Sequence, residues 1–287
     1  MSESYGELYV VATPIGNLAD FSYRAVDTLR QVELIAAEDT RHVKILLQQY
    51  GITTRVVSLH QHNEAHVAPQ LVEKIQQGLS VALVSDAGTP LLSDPGMPLV
   101  RLAKEQGVKV SPIPGACAVI SALSVAGLPI NRFCFEGFLP RTSNARQNFF
   151  SERLDWSITW VFYESSHRIL ACLEDMVAIL PLDRVVVIAR EMTKLHETIV
   201  KDTLVNLLAQ VKNDPNMQKG EFVVIVEGVK IDKKEQTITK EQTDLLQILL
   251  SECSIKTAAS LAAQITGIRK KTLYQQALLL KEGVSHD

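Results

Sequence analysis

Ser85-Asp86-Ala87-Gly88-Thr89-Pro90-Leu91-Leu92-Ser93-Asp94-Pro95-Gly96 separates two runs of different character. Before it, Ser80-Val81-Ala82-Leu83-Val84 reads as a buried strand. After it, Pro98-Leu99-Val100-Arg101-Leu102-Ala103-Lys104 reads as a helix. Strand, loop and helix make half of a βαβ unit, and open parallel sheets collect ligands at the carboxyl ends of their strands. This loop is unusually constrained. Gly88 and Gly96 open backbone angles that other residues avoid, whereas Pro90 and Pro95 fix theirs. Asp86 and Asp94 offer carboxylates to a ligand or to the loop's own amides. A plain turn needs few of these features, so the stretch reads as a ligand loop.

The flanking sequence extends the same pattern. Leu8-Tyr9-Val10-Val11-Ala12-Thr13 is a strand broken by Pro14-Ile15-Gly16-Asn17, and a helix follows from about Tyr23. Leu34-Ile35-Ala36-Ala37 is a second strand, ending in Glu38-Asp39-Thr40-Arg41 at the start of another helix. There Asp39 or Thr40 serves either as a helix cap or as part of a site. Arg55-Val56-Val57-Ser58 is a third strand, and residues 81–84 form the fourth. Val108-Lys109-Val110 opens the fifth, which runs into Pro112-Ile113-Pro114-Gly115-Ala116 and a helix of small residues. The loops after strands one, four and five are expected to converge on one edge of the sheet.

Gly127-Leu128-Pro129-Ile130-Asn131 reads as a linker. The expected organisation is an α/β protein: an N-terminal α/β domain (1–126), a second α/β domain (127–229) and a small helical domain (240–287). Residues 230–240 are charged and poor in core residues, as a second linker would be. Residues 185–189 and 220–227 supply β-branched runs suited to a sheet buried on both faces, and residues 196–200 suit an antiparallel neighbour. The last three helices follow a helix-turn-helix pattern, with Arg269-Lys270-Lys271 placed to meet phosphate.

Bulk properties narrow the function classes. The chain has 287 residues, 46% hydrophobic and 21% charged, an ordinary globular balance. A net charge of −3 gives no global basic signature, so any nucleic-acid contact rests on local patches. Cys117, Cys134, Cys172 and Cys253 are scattered, with no zinc spacing, and read as free thiols in a reducing compartment. His60, His62 and His66 lack supporting carboxylates, so no metal is expected. No signal peptide is visible, and the longest apolar stretch, residues 116–128, falls short of the roughly 20 residues a membrane helix needs. A cytoplasmic protein with no membrane contact is expected. GxGxxG, P-loop, GxSxG and zinc-deaminase patterns are all missing. The residues alone therefore reach a ligand-binding α/β protein whose cofactor is held mostly by backbone and small side chains.

The quoted loop resembles the signature loop of the RsmI-type methyltransferases of the tetrapyrrole-methylase (class III) group. Other matching stretches are Val11-Ala12-Thr13-Pro14-Ile15-Gly16-Asn17-Leu18, Ala37-Glu38-Asp39-Thr40-Arg41, Pro114-Gly115-Ala116, Tyr163-Glu164-Ser165-Ser166-His167-Arg168 and Arg269-Lys270-Lys271-Thr272-Leu273-Tyr274. The resemblance implies S-adenosylmethionine bound between two α/β domains and methyl transfer to the ribose 2'-hydroxyl of a cytidine in 16S rRNA of the 30S subunit. It also implies a homodimer. Carried onto this chain, the cofactor-binding positions are Ile15, Gly16, Asp86, Ala87, Gly88, Thr89, Ala116, Cys117, Phe162 and Tyr163, with Gly220-Glu221-Phe222 as a further strand start.

For such a transfer the protein mainly aligns donor and acceptor and takes up a proton. Glu164, His167 and Lys194 are the candidate proton acceptors in the second half, and Asp39 and Asp86 in the first; no one base is singled out. Arg41, Arg141, Arg146 and Arg168 are candidate RNA phosphate contacts, beside Arg269, Lys270 and Lys271. A small-molecule methyltransferase acting on a tetrapyrrole and a non-enzymatic RNA-binding protein are the alternatives.

Overall fold

The computed structural model describes residues 6–229 and 238–282. The chain divides into two compact units after Val229. The first unit begins with five parallel strands alternating with helices: β1 (Glu7–Val11), α1 (Tyr23–Gln31), β2 (Leu34–Ala37), α2 (Thr40–Gln49), β3 (Val56–Ser58), α3 (Glu64–Gln76), β4 (Val81–Val84), α4 (Met97–Glu105) and β5 (Lys109–Ile113). The strand order is β3-β2-β4-β1-β5. Strands β4, β1 and β5 are thus neighbours, and their loops emerge side by side as the sequence predicts.

A parallel sheet must be covered on both faces, and this one is. Ala25 and Leu29 of α1 and Leu46 and Leu47 of α2 pack on one face. Leu71, Val72 and Ile75 of α3 and Leu99 and Ala103 of α4 pack on the other. Strands β2 and β4 are buried at every position, which is why they read as unbroken apolar runs.

The next helix, α5 (Ala118–Val125), leaves that sheet. Its Val119, Ala122 and Leu123 pack on Val161, Val187, Val223 and Ile225 of a second sheet. That sheet comprises β6 (Phe133–Phe138), β7 (Thr159–Ser165), β8 (Val185–Arg190), β9 (Thr198–Thr203) and β10 (Glu221–Val226), in the order β6-β7-β10-β8-β9. Only β6 and β7 pair in parallel; β10 runs antiparallel to β7 and β8, and β8 to β9. Helices α6 (Ser143–Ser151), α7 (Ile169–Ile179) and α8 (Leu204–Asn213) cover its far face, around Trp160, Phe162, Val224 and Val226. Side-chain alternation sends Val223 and Ile225 toward α5 and Phe222 and Val224 away.

The basic stretch after β6 differs from its sequence reading. Arg146, expected at RNA phosphate, is only 4% exposed. Its guanidinium pairs with Asp175 at 2.6 Å and donates to the Arg141 carbonyl at 2.8 Å. Its donors serve the fold, so it is no phosphate contact.

The second unit is a three-helix cluster: α9 (Lys240–Glu252), α10 (Ile255–Thr266) and α11 (Lys270–Glu282). A capping box of Thr239 and Gln242 starts α9, and Gly267 ends α10 at φ 73°. Leu246, Ala258, Ala259, Ala262, Leu273 and Ala277 form its core, where alanines let the helices approach closely. Among the described residues, no helix is long and apolar enough to cross a membrane.

Removing one partner of a buried ion pair strands the other. Arg146→Ala is expected to destabilise the first unit by about 3–5 kcal/mol, read as a lower urea midpoint. An unchanged midpoint would show that Asp175 needs no partner.

Candidate active site

The loops after β1 and β4 are joined by a two-way backbone bridge. The Thr13 amide donates to the Gly88 carbonyl at 2.9 Å, and the Gly88 amide returns the bond at 3.0 Å. The Thr89 hydroxyl donates to the Ala116 carbonyl at 3.1 Å and ties in the loop after β5. Asp86 accepts from the Asp39 amide at 2.9 Å, which adds the loop after β2. Four strand ends are thereby held as one surface. Gly88 sits at φ 80°, and an added Cβ there would meet Ile15 at 3.3 Å. Leu91 and Ser93 also have positive φ, 75° and 73°. Such backbone costs about 1–3 kcal/mol per residue and persists where surrounding bonds over-determine it, typically at ligand sites.

This surface faces the second sheet across a cleft of about 560 Å³, within the usual range for a small-molecule site. Ile15, Asp86, Ala87, Gly88, Thr89 and Cys117 line one wall, and Tyr163, Glu164, Gly220, Glu221 and Phe222 the other. Across the cleft, the Asn17 amide donates to the Thr193 hydroxyl at 3.0 Å.

Other expected residues lie elsewhere. Gly16 packs against the side chains of Thr193 and Lys194. Ala116 contributes its carbonyl to the Thr89 bond. The Phe162 side chain is fully buried on the opposite face of β7, so its ring is not part of the cleft. His167 is exposed and outside the cleft wall. The Lys194 ammonium sits 2.9 Å from both Glu191 and Glu221. Burial works against its charge, but hydrogen bonds to Glu221 and Glu191 win and raise its pKa, so it is no neutral base.

Glu164 belongs to β7. It is 2% exposed. Burial raises its pKa, against the Ser165 amide and Arg168. Arg168 lies 3.2 Å from Glu164 and donates to the carbonyls of Leu139 and Pro140. That arginine therefore holds a turn and is not set out for phosphate. Asp39 caps α2 by accepting from the Arg41 amide and pairs with the Arg41 guanidinium at 2.6 Å. Those bonds hold its carboxyl well below the usual carboxylate range. Arg141 is exposed, as are Arg269, Lys270 and Lys271 of the helical unit. The described residues hold no group of three or more His, Cys, Asp or Glu arranged for a metal ion.

Ala118, Phe138, Met192 and Val223, not singled out from the sequence, also line the cleft, as do Glu38 at the end of β2 and Leu92 and Ser93 of the quoted loop. Asp94, seen only as a loop carboxylate, lines it too. Burial raises the Glu38 pKa, with Asp86 and Asp94 adding to it. Burial likewise raises Asp94, partly offset by a hydrogen bond from Ser85. The first wall is therefore acidic. On the second, burial pushes the Tyr163 hydroxyl up to about 12.

Residues 7–208 match the family model of the Tetrapyrrole (Corrin/Porphyrin) Methylases. Residues 236–281 match that of the RsmI C-terminal HTH domain. Ribosomal RNA small subunit methyltransferase I of Escherichia coli O157:H7 is 52% identical over 96% of this chain and 96% of its own. The protein of that name from Haemophilus influenzae is 50% identical over 97% of this chain and 98% of its own. Among solved structures, a diphthine synthase superimposes with TM-score 0.58 at 20% identity, covering 77% of this chain and 89% of that one. A cobalt precorrin-4 methyltransferase gives 0.55 at 15%, covering 77% and 94%. At these identities the two structures speak for the fold alone. The chain belongs to the tetrapyrrole methylase family and, within it, to the ribosomal RNA small subunit methyltransferase I group.

Proposed function

We propose that this chain transfers a methyl group from S-adenosylmethionine to the ribose 2'-hydroxyl of a cytidine in 16S rRNA of the small ribosomal subunit. The similarity to small-subunit methyltransferase I proteins carries this reading, because it spans the cleft-bearing unit and the helical unit alike. A tetrapyrrole substrate is not favoured, since it gives the helical unit no task. The reading entails a cytoplasmic enzyme, and the family resemblance adds a homodimer.

The cleft fits the cofactor. Ala87 and Gly88 bring bare backbone to its wall, and the carboxyls of Glu38, Asp86 and Asp94 suit a positively charged ligand. When bound, S-adenosylmethionine supplies an electrophilic methyl on a sulfonium sulfur. The protein's work is then alignment and water exclusion. The bridged loops hold one wall fixed, while Met192 and Val223 give the other an apolar surface. A proton leaving the ribose hydroxyl meets carboxyls on either wall. In the helical unit, Lys270 and Lys271 contact RNA phosphates in this reading.

Two measurements test this reading. Labelled methyl transfer to undermethylated small subunits, with nucleotide mapping, should mark one cytidine ribose; no transfer to any small subunit would refute the function. In a binding titration Lys270→Ala/Lys271→Ala should hold subunits more weakly. Its log affinity should also fall less steeply with log salt, by about one unit for each phosphate that is no longer neutralised. An unchanged slope would remove those lysines from the interface.

The raised carboxyls of Glu38 and Asp94 keep their protons to higher pH than free carboxyls, and only their ionised forms attract a sulfonium. Affinity for S-adenosylmethionine should therefore weaken as pH falls from about 8 to about 5, more than affinity for the neutral thioether product. Calorimetry should show the ratio of the two falling about threefold or more. A constant ratio would contradict the acidic wall's role.

A further inference from the structure

Phe138 is the last residue of β6, at the edge of the second sheet. It lines the cleft, yet it is 58% exposed. The backbone is built to put it there. Phe135 pairs with Val161 and Phe138 with Tyr163, so β6 carries one extra residue. Gly137, at φ 65°, lies inside this bulge. Residues three apart normally point to opposite faces of a strand, and a bulge re-aims the chain. Here Phe135 and Phe138 both meet the Tyr163 ring, at 5.0 Å and 5.4 Å between centroids. Phe138 is thus backed by an aromatic pair while more than half of it faces solvent.

The chain just beyond is clamped. Arg168 donates to the carbonyls of Leu139 and Pro140 at 2.9 and 2.8 Å, and Arg146 to that of Arg141 at 2.8 Å. Glu164 and Asp175 hold those arginines in turn. An exposed phenyl on so rigid a mount gains nothing for the core. Unpaired nucleotides, in contrast, are recognised by stacking their bases on such rings.

We propose that Phe138 is a stacking face for the base of an unpaired nucleotide entering the cleft, with Arg141, exposed three residues on, beside its phosphate. This rests on the RNA methyltransferase reading. Arg146 and Arg168 are then positioning residues for the turn and do not touch RNA.

The test compares full-length wild type with Phe138→Ala, Phe138→Leu and Phe138→Trp. Leucine keeps apolar bulk without a flat π-face; tryptophan keeps the face. With undermethylated small subunits, the Ala and Leu variants should lose roughly tenfold or more in kcat/KM. The Trp variant should stay within about threefold of wild type. Mass by sedimentation should be unchanged in all, and any change in cofactor affinity by calorimetry should be smaller than the loss in kcat/KM. In parallel, a short unpaired RNA carrying pyrrolo-cytidine should be quenched by wild type and Trp but not by Ala or Leu. This readout needs no methyl transfer, so it judges Phe138 even if the methyltransferase reading fails. Full activity or quenching with Leu would overturn the proposal. So would no quenching with wild type, or a loss explained wholly by weaker cofactor binding or altered mass.

Discussion

The two-way amide bridge between Thr13 and Gly88 is the constraint on which the cleft depends. Parallel strands fix where their loops begin but not where they end. Here the ends are fixed as well, because one loop's backbone completes the other's hydrogen bonding. The Thr89 hydroxyl and the Asp86 carboxylate extend that control to the loops after β5 and β2. With its flanks held, the β4 loop sustains left-handed backbone at Leu91 and Ser93 that a free loop would relax.

Helix α5 converts this fixed surface into a cleft. Cys117 and Ala118, where the helix begins, line the cavity. From the very next residue, Val119, Ala122 and Leu123 pack into the second sheet. A single short helix thus sets the distance between a parallel sheet and a largely antiparallel one. The Asn17–Thr193 bond and the packing of Gly16 against Lys194 close the same gap from another side. The two walls differ in character: Glu38, Asp86 and Asp94 crowd the first, and the aromatic rings of Tyr163 and Phe138 lie on the second. That asymmetry suits a cationic cofactor meeting a nucleotide.

Much of this was legible in the chain. The apolar runs at β2 and β4 are unbroken because both faces of the sheet are covered, so strand type and layer followed from composition. Glycine and proline punctuation marked the loops after strands one, four and five, and their adjacency matches the observed strand order. What stayed hidden depends on tertiary neighbours. Arg146 and Arg168 look like any basic residues of a polar stretch; only Asp175, Glu164 and nearby carbonyls reveal them as braces. Phe162 and Tyr163 are adjacent in sequence, and strand alternation alone sends one into the far core and the other to the cleft. The bulge that turns Phe138 outward has one local sign, Gly137, and becomes readable only with β7 alongside.

A structure of this protein with S-adenosylmethionine bound tests the central claim most directly. The donor is expected in the cleft, against Asp86, Ala87, Gly88 and Thr89 on one side and Tyr163 and Phe222 on the other, with the Thr13–Gly88 bridge intact. A donor bound anywhere else, or bound there only after that bridge opens, would contradict the claim.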